Sequence, residues 1–122
     1  LCRAIGIPAR WESGYMLHPD AVNYHDWAET YFEGVGWVPT DPSFGRSTVQ
    51  NPHIADYYAT GIDIYRMASN EAVGDKLSPE KKYIRSETVD FQPGEVEWKN
   101  GNLYYDMWDS NFHLNSITPI NK

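Results

Sequence analysis

Tyr24-His25-Asp26-Trp27-Ala28-Glu29, followed sixteen residues after His25 by Asp41-Pro42, is the stretch on which the fold turns. Between them lies the turn-like Glu33-Gly34-Val35-Gly36, flanked by Tyr24 to Phe32 and by Gly36 to Thr40, both rich in Trp, Tyr, Phe, Thr and Val. Such runs around a Gly-rich turn predict a β-hairpin. In an antiparallel hairpin a loop with an odd number of residues sets positions of equal parity opposite each other, so His25 and Asp41 fall on one face of the sheet. A register centred on Glu33 places them directly opposite, with Cβ atoms ~5 Å apart. One centred on Val35 leaves them staggered, a fault that a bulge near Pro39 could repair. An even loop would part them altogether. An imidazole held by a carboxylate is two thirds of a nucleophilic triad; the plainer alternative is a half-buried sheet histidine with a hydrogen bond.

Working outward, Leu1 to Ile5 is apolar and stops at Gly6, two residues before Pro8, which predicts the last turn of a helix whose earlier turns would lie upstream. Pro8 to Leu17 alternates Ala9, Trp11, Ser13 and Tyr15 with Arg10, Glu12, Gly14 and Met16, a strand pattern, and His18 to Ala21 reads as a loop. Asp41-Pro42-Ser43-Phe44-Gly45 ends the second hairpin strand, since proline cannot donate in a ladder. Residues 46–61 read as loop with a short helix begun near Pro52, 62–68 as a strand, 70–80 as a surface loop and 85–91 as a further strand. Gly94 to Trp98 and Leu103 to Trp108 flank Lys99-Asn100-Gly101-Asn102, and Asn-Gly between alternating residues predicts another hairpin. The tail from Asn115 to Lys122 is expected to fray. The organisation predicted is one α+β unit built on an antiparallel β-sheet.

Net charge is −7 and the isoelectric point near 4.9, and the basic residues are scattered, which argues against nucleic acid and anionic membrane surfaces as partners. No apolar run approaches the roughly 20 residues of a membrane span. The single cysteine excludes an internal disulfide and carries no signal for compartment. Aromatic residues make up 15% of the chain, which suits a sheet with aromatic inner faces. His18, His25, His53 and His113 sit at no ligand-like spacing, so no metal is expected, and no cofactor either. Asp20, Asp26, Glu29 and Glu33 offer no pair suited to flank a sugar, and Glu29 reads as a partner within the sheet. Asp90, Glu95, Glu97 and Asp106 read as the solvated side of the last hairpin. Trp11, Trp27 and Trp37 read as core, and Trp27, on the face of His25, is also a candidate substrate-binding residue.

Four motifs in order, Gly6-Ile7-Pro8-Ala9-Arg10, Ser13-Gly14-Tyr15, His25-x-Trp27-x-Glu29-x-Tyr31 and Gly36-Trp37-Val38-x-x-Asp41-Pro42, resemble the second half of the transglutaminase-like core, a papain-like Cys-His-Asp fold. The resemblance covers roughly the first 45 residues, and residues 46–114 resemble the extension that follows the core in bacterial members. It implies that His25 is the catalytic base, that Asp41 orients it, and that the chemistry is acyl transfer at an amide or peptide bond of a protein or peptide substrate. Hydrolysis is expected over crosslinking, because no calcium-binding loop of the crosslinking members is seen. The family's nucleophile sits at the N-terminus of the core helix, where the dipole lowers a thiol pKa. Cys2 lies at the opposite end, four residues before Gly6, and is expected to be a buried helix residue. The nucleophile is therefore expected from an upstream segment, with residues 1–122 inactive alone. The other class compatible with the residues is a non-catalytic transglutaminase-like module binding protein or glycan through aromatic faces.

Overall fold

The alternation in the first forty residues folds into three consecutive antiparallel strands, and a fourth returns from later in the chain. The computed structural model describes residues 1–47, 51–71, 74–86, 92–104 and 106–120. The strands are β1 (Ala9–His18), β2 (Ala21–Phe32), β3 (Gly36–Thr40) and β4 (Arg66–Asn70), in the order β3-β2-β1-β4. Two helices, α1 (Pro42–Ser47) and α2 (Pro52–Ala59), connect β3 to β4, and a separate hairpin pairs β5 (Val96–Trp98) with β6 (Gly101–Leu103). The fold is α+β on an antiparallel sheet, as expected.

The details depart from the sequence reading at several places. Cys2–Ile5 is a 3-10 turn, closed by Gly6 at φ 84°, and Cys2 is half-buried rather than buried in an α-helix. The loop expected over His18 to Ala21 shrinks to Pro19-Asp20, because His18 already pairs with Ala21, and β2 starts three residues before Tyr24. Residues 42–47 are helical because Asp41-Pro42 starts a helix as well as ending a strand. Asp41 accepts the N–H of Phe44 at 3.3 Å as an N-cap, and Pro42 stands where its missing N–H costs nothing. Asn51 and Pro52 repeat the device at α2, with the Asn51 side chain accepting from the His53 N–H.

The strand expected at 62–68 begins only at Arg66. Asp63 takes the Tyr65 N–H at 2.8 Å and the Tyr58 hydroxyl at 2.8 Å, which turns the chain before it can pair, and Ile64 is left 85% exposed. The last hairpin is shorter than predicted, since Trp98 pairs with Gly101 and the turn is Lys99-Asn100. Glu95 and Glu97, expected on a solvated face, are drawn inward by the Lys81 ammonium at 3.1 and 3.2 Å. The strand expected over 85–91 lies mostly outside the described residues; Arg85 and Ser86 belong to no strand.

β4 lies against β1 through one close approach. A Cβ on Gly14 would sit 2.0 Å from the Met67 carbonyl oxygen and 2.9 Å from the Ser69 nitrogen, both backbone atoms. The β1–β4 register shifts between Ser13 and Gly14, then runs on to pair Met16 with Arg66. Glycine there is a packing requirement, and it sets where β4 begins. Burial centres nearby: Ser13 and Asp41 are 0% exposed, and among the described residues Trp27, at 4%, is the buried hydrophobic side chain.

Candidate active site

The β2–β3 ladder pairs Ala28 with Thr40, Thr30 with Val38 and Phe32 with Gly36. Its centre is therefore Gly34, between the two registers considered from sequence, and the loop of three residues keeps the expected parity. His25 and Asp41 share a face but are diagonal rather than opposite. No bulge is needed, because β3 ends at Thr40 and Asp41 turns with the chain into α1. His25 Nε2 lies 2.6 Å from Asp41 Oδ2.

Asp41 is the most heavily bonded side chain of the site. Its Oδ2 also receives Arg66 Nη2 at 3.1 Å, and its Oδ1 receives the Ser43 hydroxyl at 2.5 Å and the Phe44 N–H. Burial by itself pushes the carboxyl pKa up. The Ser43 hydroxyl, the His25 ring and the Phe44 N–H more than reverse this, and the group is held below its ordinary value. An ionised Asp41 only accepts, so Nε2 carries the proton and donates it, and Nδ1 is the ring nitrogen left for proton traffic. The sign for stability follows: a depressed carboxyl contributes above its unfolded value, about pH 4, and the contribution is lost as pH falls through the folded value.

The imidazole is walled in. Its side chain is 19% exposed, Phe44 meets it edge-on at 5.0 Å, and Trp27 lies alongside at 6.4 Å. Trp27 shares the expected face, but it is buried, and its indole N–H is given to Glu12. It backs the imidazole instead of presenting a surface. Burial raises the Glu12 pKa, against the opposing pull of that indole bond. A raised carboxyl favours the native state at low pH and costs stability as pH climbs through the folded value. Glu12→Gln, which can still accept from Trp27, is therefore expected to raise the denaturation midpoint at pH 8 and to do little at pH 4. Paired urea melts at the two pH values check it; an equal shift at both would contradict the assignment.

Cys2 is not part of this arrangement. It lines a hollow with Ala9, Trp11 and Ala28, of the other face of the β1–β2 ladder from Gly14, His25 and Trp27, and with Arg10 at the sheet's end; neither His25 nor Asp41 lines it. Sequence reasoning missed Ser43 and Arg66. The Asp41-Pro42-Ser43 helix-start signal was available for the first; nothing local marks the second. Among the described residues no three His, Cys, Asp or Glu side chains converge to hold a metal ion, and no helix is long and apolar enough to cross a membrane.

Comparison with known proteins gives two matches. The model of the transglutaminase-like superfamily core matches residues 1–42. An uncharacterized protein of Bacillus subtilis (strain 168), YebA, is 31% identical over 77 residues, covering 52% of this chain and 10% of the relative. The chain thus spans about a tenth of the length of that relative. No solved structure matches. The matched span runs from the 3-10 turn through β3 to Asp41 and contains both members of the bonded pair, so the likeness to the transglutaminase-like superfamily core rests on residues 1–42.

Proposed function

We propose that His25 and Asp41 are the base and the orienting acid of a transglutaminase-like cysteine enzyme that acts on amide or peptide bonds, with hydrolysis favoured over transfer to an amine. The observation that carries the reading is the 2.6 Å bond from His25 Nε2 to a carboxylate that is fully buried. A carboxylate there fixes the tautomer with Nδ1 unprotonated and steadies the imidazolium once Nδ1 takes a proton. A thiol within reach of Nδ1 would be converted to thiolate, attack the carbonyl carbon, and expel an amine that takes its proton from the same imidazolium. The acyl group would then pass to water. Trp27 enters as the wall behind His25. The nucleophile in this proposal comes from residues outside 1–122, since Cys2 lines a hollow that neither His25 nor Asp41 reaches. Residues 46–114 enter as an extension packed on the same unit.

The test uses the full-length protein that contains this chain, assayed on peptide and amide substrates with and without iodoacetamide. Hydrolysis abolished by alkylation, and unchanged by Cys2→Ala, is expected. Activity lost with Cys2→Ala would overturn the placement of the nucleophile. Indifference to both alkylation and His25→Ala would favour a non-catalytic binding module.

A further inference from the structure

Arg66 occupies a position that stability does not explain. Its side chain is 2% exposed, yet Nε and Nη1 are buried without a hydrogen-bond partner. The polar contacts of its guanidinium go through Nη2, to Asp41 Oδ2 at 3.1 Å and to Asp63 Oδ2 at 3.3 Å, while the group lies 4.4 Å over the Phe44 ring. Buried donors left without partners carry a desolvation cost that the ion pairs at Nη2 do not remove. Such a placement, maintained by a fourth strand that must cross from beyond two helices, points to a task at Asp41.

The geometry defines the task. Asp41 Oδ2 is shared by two donors, His25 Nε2 at 2.6 Å and Arg66 Nη2 at 3.1 Å. The guanidinium is always charged, so part of the carboxylate's pull is permanently committed and less remains for an imidazolium. Asp63 steadies Arg66 from the far side, held by the Tyr58 hydroxyl, whose pKa is raised by burial and by Asp63 to about 12. We propose that Arg66 is a positioning residue for the His25–Asp41 pair: it fixes Asp41 Oδ2 and takes a share of the carboxylate that would otherwise serve the imidazolium alone. This rests on the reading of the pair given above. The groups facing His25 and its partner are Ser43 and Phe44 of α1, Tyr58 of α2, Asp63 and Arg66 at the entry to β4, and Trp27 backed by Glu12 of β1.

An NMR titration of the His25 ring nitrogens in the full chain tests it. Arg66→Met is expected to raise the His25 midpoint by about one pH unit, a tenfold tighter proton, and to lower the thermal midpoint, because Asp41 stays buried without its cation. Arg66→Lys, which keeps the charge, is expected to restore the midpoint to near wild type. Asp63→Asn removes a negative charge and leaves Arg66 to Asp41, so the midpoint falls. A folded Arg66→Met chain whose His25 titrates as in wild type would overturn the proposal. Should that variant not fold, an unmoved midpoint in Asp63→Asn would do so instead. The measurement needs no catalysis, so a full-length protein that hydrolyses nothing would defeat the enzymatic reading and leave this result standing.

Discussion

In the full-length protein, Asp41→Asn is expected to lower kcat/KM by three to four orders of magnitude, the scale seen when a triad carboxylate is neutralised. The cause is the tautomer. Asp41 is 0% exposed, and His25 Nε2 can only donate to it. An asparagine that turns its NH2 toward the ring would move the imidazole proton to Nδ1, where the base must be empty. A second cost falls on the fold. The substitution leaves Arg66 buried with its nearest counter-charge removed, a loss of about 3–5 kcal/mol in comparable cases. The two effects separate in the double variant: Asp41→Asn with Arg66→Met is expected to regain most of the stability and none of the activity. Urea midpoints beside steady-state rates measure both. A single variant within tenfold of wild-type kcat/KM would mean that the 2.6 Å bond is structural.

Among the described glycines, Gly14→Ala is expected to be the most damaging substitution. The added carbon would stand 2.0 Å from the Met67 oxygen, 2.9 Å from the Ser69 nitrogen and 3.0 Å from the Ala68 Cα. All three are backbone atoms, and no rotamer change relieves them. β4 has to withdraw, with the Met16–Arg66 pairing. Overpacking of this kind costs about 1–3 kcal/mol before any lost ladder bonds are added. Gly101→Ala is the control, because its nearest neighbour would be Trp98 Nε1 at 3.8 Å, an ordinary contact. Denaturation midpoints should fall sharply for the first and stay within about 0.5 kcal/mol for the second. The His25 titration should move for Gly14→Ala in the direction of Arg66→Met. A Gly14→Ala chain as stable as wild type would mean β4 can re-seat.

Much of the site was legible because parity is a local property. A strand alternates faces whatever its partner, so two odd-numbered residues either side of a short odd loop had to meet on one face. The register was not legible, since Glu33, Gly34 and Val35 are each an acceptable centre and cross-strand packing chooses. The helix after β3 was within reach but masked by proline, whose veto on a ladder is as strong as its fitness for a first helical position. The false start at 62–68 came from Ile62 and Ile64, an alternation that the turn held by Asp63 interrupts, leaving Ile64 exposed. Arg66 could not have been found. Its partner lies 25 residues back, and β4 can lie against β1 there only because Gly14 has no side chain.

The family pattern stops at residue 42, yet the sheet does not. A chain cut there for expression or grafting would bare the flank of β1 along Ser13 to Met16, the stretch that β4 covers. Unmet N–H and C=O groups along such a rim invite a neighbouring molecule to add its own strand. Anyone excising the matched portion alone should expect self-association, and a boundary past Asn70 keeps that rim covered.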